Sequence, residues 1–524
     1  MAGAGSPAAG RAGLTAMAVS VAGTFAVAVA GPSVMEPALP GRSGQPPWAF
    51  DARLPAYLAV GLTAAGLAAG ALGLVLVLRA LRGGWSVPAR AVLLAGLLAA
   101  VALTLVPPFG SSDQLSYAAY GRMLVTGHDP YTTTPAQLAA LGDPVARAVQ
   151  DWFTAPSVYG PLATAVQGLA SLIGGTSARL TVFALGLANL TAFTGTALLL
   201  HRMTRSDPAR QLRAAVLWAA NPLLLQLLVA GAHVDVQAVV FAVAAVAVLR
   251  GPRGDLGGSP LRSCAAGALA GLGFAVKASD VLVALGLAVA LGLRVHPAWR
   301  PRLLSLAGLA AGFAATAGAA VAIGGPALLG QLSRESDMVS IGSPWRVIRT
   351  LIHLVAGGPA ATDIVKAGAV ALAVGLAVLL VRGRPDAPGG AGVVFAVVLA
   401  WLFAWPYVLP WYDALAWALL PLVAWGPAAG EWAAGEWAAG EAVGWLLLAR
   451  TTALGFGYLP ARESDVRLPG GLAWMQPVIR HGITPAVLAA ATVWLVVLML
   501  RTRRSRWPAP APARPATPAA TKAL

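Results

Sequence analysis

The chain has 524 residues, of which 58% are hydrophobic and 11% are charged, and its mean hydropathy is +0.74. Soluble domains carry about 25% charged residues, so the composition excludes a soluble globular protein and predicts an integral membrane protein. The net charge of +16 does not indicate nucleic acid, because the Lys and Arg residues separate apolar segments, as membrane topology requires. A single cysteine, Cys264, excludes an internal disulfide.

The N-terminal residues 1–13 are predicted to be a cytoplasmic tail, followed by a first membrane span at 14–31. Arg11, the apolar run and Ala28-Val29-Ala30 are also typical of a cleavable signal peptide. An uncleaved span is the favoured interpretation.

A spanning helix needs about 20 mainly apolar residues. The apolar segments predict an all-α, polytopic membrane protein, with about 13–14 transmembrane helices in one catalytic domain. The segments on either side of Lys277 and at 411–426 are short, which suits tilted spans or buried hairpins. The predicted spans are 14–31, 54–79, 88–106, 180–200, 214–231, 235–249, 263–277, 279–294, 302–323, 363–381, 391–408, 411–426, 441–459 and 484–500, within a domain of residues 14–500.

The Lys and Arg residues orient this bundle. With the N-terminus in the cytoplasm, most of them fall in cytoplasmic loops and most acidic residues fall outside, as the positive-inside rule requires. The largest outer loop is then 108–160, followed by a short helix at 161–174 that lies on the outer surface or dips into it. The localisation predicted is the plasma membrane, with the functional face outward.

The outer loop begins with SSDQLSYAAYGRMLVTGHDPY, a dense polar and aromatic stretch in an otherwise apolar chain. Asp113 lies just past the membrane boundary, where burial would raise its pKa and make it a usable general base. From spacing alone, capping of the following helix is the stronger interpretation, because Ser111-Ser112-Asp113 precede a helical pattern with Tyr117, Tyr120 and Leu124 on one face.

Other polar residues in or near the predicted spans have more than one interpretation. Lys277, between two apolar runs, is a candidate cation for a phosphate group, or it forms a local pair with Asp280. His233 and Asp235 contact a sugar or phosphate, contribute to a divalent-cation site with further acidic residues, or hydrogen-bond neighbouring helix ends. Arg450, within a span, needs a partner or a wet cavity.

Several segments in the same order resemble the actinobacterial polyprenyl-phosphomannose-dependent alpha-1,6-mannosyltransferases, which are GT-C-type membrane glycosyltransferases of lipomannan assembly. The chain has Val158 where this family usually has Pro, and Val234 where it usually has Asn. The resembling segments are DQLSYAAYGRMLVTGHDPY from Asp113, Trp152 with VYGPL at 158–162, NPLLLQLLVAGAHVDVQAVVFAV at 221–243, AGLGFAVKASDVLVALGL at 270–287 and WPYVLPWYDALAW at 405–417.

The resemblance implies a GT-C-like bundle and an inverting transferase that moves mannose from a polyprenyl phosphate to a mannan or lipomannan-type acceptor. It assigns Asp113 as the base that deprotonates the acceptor hydroxyl. The cations proposed for the donor phosphate are Lys277, Arg346 and Arg349, although snorkelling to the interface is the stronger interpretation of the two arginines. The residues assigned to the sugar or the acceptor are Tyr117, Arg122, Asp129, Tyr131, Tyr159, His233, Asp235, Trp411 and Tyr412.

Two alternatives to this enzyme stay open. A secondary transporter would show paired halves with interrupted helices near the midplane, and the chain shows no internal duplication. A lipid-linked glycan ligase or flippase of similar build is distinguished by its product. No cofactor is required, and a divalent cation is left open.

The C-terminal region contains two segments without predicted function. GEWAAGEWAAGE at 430–441 is a five-residue tandem repeat in a predicted cytoplasmic loop, and its period is too short for the usual structural repeats. Residues 501–524 are basic and then rich in Pro and Ala, which predicts a disordered cytoplasmic tail.

Overall fold

The computed structural model describes residues 7–250, 259–293, 299–382, 390–423, 434–460 and 468–504, and these residues form helices with no β-strand. Seven of the described helical segments are long and apolar enough to cross a membrane. The prediction of an all-α multi-pass membrane protein is therefore confirmed. These seven are fewer than the predicted 13–14 spans, and most of the other predicted spans are apolar helices of 10–17 residues.

The α-helices are numbered in chain order, and short 3₁₀ and π turns connect some of them. They are α1 Pro7–Ala30, α2 Ala56–Arg82, α3 Ala89–Thr104, α4 Asp113–Val125, α5 Pro135–Ala140, α6 Pro161–Gly174, α7 Ala178–Met203, α8 Pro208–Ala214, α9 Pro222–Leu224, α10 Asp235–Leu249, α11 Pro260–Val276, α12 Val281–Gly292, α13 Trp299–Ser336, α14 Pro344–Ala356, α15 Gly358–Arg382, α16 Ala391–Ala404, α17 Ala414–Leu419, α18 Ala434–Gly457 and α19 Thr484–Arg504.

The predicted span at 411–426 is described as far as residue 423, and its α-helix is too short to cross a membrane. Only Ala414–Leu419 is α-helical, and 3₁₀ turns lie on both sides of it. Pro421 supplies no amide hydrogen and clashes with the preceding turn, so the helix cannot continue. Trp417, on α17, is fully buried, so this short helix lies in the protein core.

Two prolines interrupt other helices. The Asn221 side chain accepts a hydrogen bond from the Leu223 amide at 3.1 Å, which caps the short helix α9 next to Pro222. Helix α13 is kinked where Gly325, at φ 63°, precedes Pro326. Only glycine adopts this φ without strain. Counted across the kink, α13 extends to Ser336, beyond its predicted end at residue 323.

The C-terminal predictions are tested in part. The repeat at 430–441 is not a loop where it is described, because α18 begins at Ala434; residues 430–433 lie outside the described part of the chain. The predicted disordered tail lies mostly outside it as well, since α19 ends at Arg504.

Backbone hydrogen bonds join several of the connections that carry candidate residues. Gly110 N donates to Met35 O at 2.7 Å, and Phe109 N donates to Ala230 O at 2.8 Å. Gly160 N donates to Val276 O at 3.0 Å. Loops that are distant in sequence are therefore held next to one another.

Candidate active site

Asp113 is the first residue of α4, and its carboxylate is not used as a helix cap. The hydroxyl of Ser111 accepts the hydrogen bond of the Asp113 amide at 3.1 Å, and the N-cap residue Ser112 makes no side-chain capping bond. The Asp113 carboxylate instead accepts a hydrogen bond from the Trp152 indole at 3.2 Å. The carboxylate therefore has no capping role, and its role as a base stays a prediction.

A cavity of about 420 Å³ opens beside Asp113. Trp152, one of its walls, has φ 63°, a strained conformation for an aromatic residue that is characteristic of functional loops. Segment 338–342, between α13 and α14, forms another wall. The charged and aromatic side chains that line the cavity are those of Asp113, Asp151, Trp152, Tyr407, Tyr458 and Arg480.

The environment of Asp113 raises its pKa into the neutral range. Burial raises the pKa of this carboxyl from 3.8 to about 7, and the neighbouring Asp151 and Asp235 carboxylates add to the rise. The Trp152 hydrogen bond and the Lys277 ammonium oppose it. A carboxylate with its pKa near the working pH is a strong base that is still substantially ionised.

His233 lies against Asp113 on the core side. Its Nδ1 atom is 3.6 Å from a carboxylate oxygen of Asp113, and its ring stacks on Trp411 with 3.5 Å between the ring centroids. Burial lowers the pKa of this imidazole well below 6.5, and Lys277 contributes to the lowering. We therefore expect a neutral histidine that packs beside Asp113 without a hydrogen bond from its Nδ1 atom and without adding a positive charge.

Lys277 is paired across the bundle rather than along its own helix. Its Nζ atom lies 2.5 Å from the Asp235 carboxylate and 3.8 Å from the centroid of the Tyr412 ring. The Tyr412 hydroxyl donates to Glu335 at 3.2 Å. The predicted pair with Asp280 is wrong. Helix α11 ends at Val276 and Lys277 is extended, so the i,i+3 geometry of a helix is lost between Lys277 and Asp280.

Tyr117 and Tyr159 form a buried aromatic pair behind Asp113. Their rings meet edge to face at 5.1 Å, and the Tyr159 hydroxyl donates to that of Tyr117 at 3.3 Å. Gly160 follows, and a Cβ there would lie 2.2 Å from the Ala275 carbonyl oxygen. The VYGPL motif therefore needs glycine so that this loop can contact the end of α11.

Three other predicted residues lie elsewhere. Arg122 pairs with Asp143 at 2.6 Å, and Asp129 accepts the Tyr131 amide at 2.9 Å within its own turn. Asp129 and Tyr131 line a second, mainly apolar groove of about 870 Å³ between α6, α11 and α13. All three help to hold the loop, and none of them lines the cavity beside Asp113.

Arg346 and Arg349 lie on α14, outside the residues that line the cavity. Arg346 is exposed and Arg349 is half-buried. Their phosphate-binding role, like that of Lys277, stays a prediction, and the geometry of the cavity does not support it.

Sequence reasoning missed Asp151 and Arg480 in the cavity wall. Asp151 also accepts a hydrogen bond from the Ser112 hydroxyl. Sequence reasoning also missed Asp413, which is the partner of Arg450. The two side chains are 2.8 Å apart and almost fully buried. The sequence offered a signal only for this pair, since an arginine within an apolar helix requires a partner.

Metal coordination was one interpretation of His233 and Asp235. Within the part of the chain that the structure describes, no group of three or more His, Cys, Asp or Glu side chains is arranged to hold a metal ion. In the structure, His233 faces Asp113 and Asp235 faces Lys277.

Comparison with known proteins identifies relatives of the chain. Residues 10–294 match the family described as "Alpha-(1->6)-mannopyranosyltransferase, N-terminal domain". An alpha-(1->6)-mannopyranosyltransferase of Mycobacterium tuberculosis is 28% identical over 393 residues, covering 63% of this chain and 64% of that protein. Alpha-(1->6)-mannopyranosyltransferase B of Corynebacterium glutamicum is 27% identical over 350 residues, covering 62% and 57%.

A shorter match is to a probable alpha-(1->6)-mannopyranosyltransferase of Mycolicibacterium smegmatis, at 33% identity over 142 residues, 26% of this chain and 25% of that one. The chain thus spans less than two thirds of the length of these relatives. No solved structure matches it, so the GT-C-like arrangement of the bundle stays a prediction.

Proposed function

The chain belongs to the alpha-(1→6)-mannopyranosyltransferase family, and from this premise we propose that it transfers mannose from a polyprenyl-phosphate-linked donor to a mannan or lipomannan-type acceptor. The proposal includes an active site on the outer face of the plasma membrane, where a lipid donor and a water-soluble glycan can meet. The distribution of Lys and Arg supports this orientation.

Transfer is proposed to proceed by in-line displacement with inversion. Asp113 accepts the proton of the acceptor hydroxyl as its oxygen forms a bond to the anomeric carbon. The bond between that carbon and the phosphate oxygen breaks, and its electron pair leaves with the phosphate. The products are the extended glycan and a polyprenyl monophosphate, with the proton on Asp113.

A single observation carries this assignment: a buried carboxylate beside a cavity with aromatic walls. Asp113 lines the cavity with Trp152, Tyr407 and Tyr458, and aromatic rings stack on the C–H faces of sugars. Its pKa, raised by burial to about 7, matches the requirements of a base that works at neutral pH.

The second groove suits the lipid part of the donor. Its walls are mainly apolar, with Leu162, Ala315 and Ile323 among them. Pro161 also lines it, and this residue is two positions from Tyr159 of the aromatic pair behind Asp113. We expect the polyprenyl chain to lie here with its phosphate directed towards the cavity.

The proposal predicts transfer with a defined pH dependence. Membranes containing the protein, given polyprenyl-phospho-[¹⁴C]mannose and a short α-mannan, should place label in the acceptor. Because the pKa of Asp113 is about 7, its basic form prevails above pH 7, and the rate should fall by about tenfold per pH unit below it. The groups that face this carboxyl are His233, Asp151, Asp235 and Lys277. Because Asp113 is buried, dissolved ions screen these interactions little, and salt should shift the midpoint of the pH profile only weakly.

The assay has two contradicting outcomes. Folded protein that transfers no label at any pH would contradict the donor assignment. A rate that is constant from pH 5 to pH 8 would contradict a base with a pKa near 7.

A further inference from the structure

The cavity beside Asp113 has one cationic side chain among its described lining residues, that of Arg480. Arg480 lies in the π-helical turn Gln476–Ile483 that precedes α19. Such turns are rare and frequently occur at functional sites. The residue is half-buried, so it is accessible from the cavity and partly shielded from bulk water.

We propose that Arg480 binds the phosphate of the donor and of the lipid monophosphate product, in the cavity that it shares with Asp113. This inference rests on the proposed function for the nature of the donor. It goes beyond that function by placing the phosphate group on a residue outside the matched family region, residues 10–294.

Lys277 is less suited to this role. Its ammonium group is 2.5 Å from the Asp235 carboxylate. Lys277 lines a separate space of about 20 Å³, which holds no more than a water molecule. A space of this size does not fit a phosphate group.

Tyr458 contacts Arg480 at the wall of the cavity. The guanidinium carbon lies 5.1 Å from the centroid of the Tyr458 ring, within the range of a cation–π interaction. Asp113, Tyr458 and Arg480 all line this cavity. The base and the cation are therefore placed around one space, with the aromatic ring beside the cation.

The chemistry of the leaving group requires such a cation. The donor is a phosphodiester with one negative charge, and cleavage of its sugar–oxygen bond leaves a monoester that carries a second. A guanidinium group offers paired donors in a plane that matches phosphate oxygens. Since negative charge on the phosphate grows during the reaction, Arg480 should stabilise the transition state more than the bound donor.

The test compares wild type, Arg480→Met, Arg480→Lys and the control Arg334→Met in purified protein. Arg334 is exposed on α13 and does not line the cavity. Binding of undecaprenyl monophosphate is measured by fluorescence competition, with undecaprenol as the matched ligand without phosphate. Transfer rates are measured in parallel, and size-exclusion chromatography confirms the fold of each variant.

We expect Arg480→Met to weaken monophosphate binding by about tenfold or more, with undecaprenol binding unchanged, and to lower kcat by about 10²–10³-fold. Arg480→Lys should recover part of both losses, and Arg334→Met should match wild type. Folded Arg480→Met that keeps its monophosphate affinity within about twofold would overturn the proposal.

The binding readout separates this inference from the proposed function. If wild type binds the monophosphate through Arg480 but transfers no mannose, the phosphate site stands and the transferase assignment fails. If wild type transfers mannose and Arg480→Met transfers equally well, the transferase stands and the assignment of Arg480 fails.

Discussion

Asp113→Asn should lower the rate of mannose transfer by about 10²–10⁴-fold, the usual contribution of a general base. Asparagine has the same shape and can still accept the hydrogen bond that the Trp152 indole donates at 3.2 Å. It cannot accept the proton of the acceptor hydroxyl. The expected loss is therefore in kcat, and the protein should keep its abundance and its affinity for the donor.

The matched control for this variant is Asp151→Asn. Asp151 lines the same cavity and contributes to the raised pKa of Asp113. Removing its charge should lower the pKa of Asp113 and shift the acid limb of the rate profile to lower pH. If Asp113→Asn transfers normally while Asp151→Asn does not, the base is Asp151 and the assignment is wrong.

Arg450→Met and Asp413→Asn should each strongly destabilise the protein. The two side chains are 2.8 Å apart and 3% and 0% exposed, so either variant leaves one buried group without its partner. Breaking a buried pair costs about 3–5 kcal/mol. Because Asp413 directly follows Trp411 and Tyr412, which contact His233 and Lys277, transfer should fall as well.

The double variant Asp413→Asn/Arg450→Met distinguishes an ion pair from a packing effect. Neutralising both groups removes the uncompensated charge, so thermal unfolding in detergent should occur at a higher temperature than in either single variant. Additive losses in the double variant would show that the two residues act independently, contrary to this account.

Much of the fold could be predicted from hydrophobic segments alone, since helix length and polarity are local properties. Helix α10 covers residues 235–249, as the sequence predicts. Prediction was weaker where helices stop. The chain leaves its helix at Lys277 and again after Leu419. Pro421 explains the second break, whereas the apolar run before Lys277 carries no comparable signal.

The candidate site was predicted in part. Asp113, Tyr117 and Tyr159 come from a recognisably polar loop, and His233 comes from a separate turn that the structure brings to within 3.6 Å of Asp113. The partner of Lys277 is 42 residues away, and Arg480 is more distant still from Asp113. Such contacts depend on how helices pack, which the periodicity of a single segment does not contain.

The most direct test of the central claim uses the stereochemistry of transfer. An α-(1→6) product formed by inversion requires a β-linked donor, so purified protein is given polyprenyl phosphates carrying [¹³C]mannose in either the β or the α linkage. The account predicts transfer from the β-linked donor alone, with an α-linked product identified by the carbon–proton coupling at its anomeric carbon. Transfer from the α-linked donor, or none from the β-linked donor by folded protein, would contradict it.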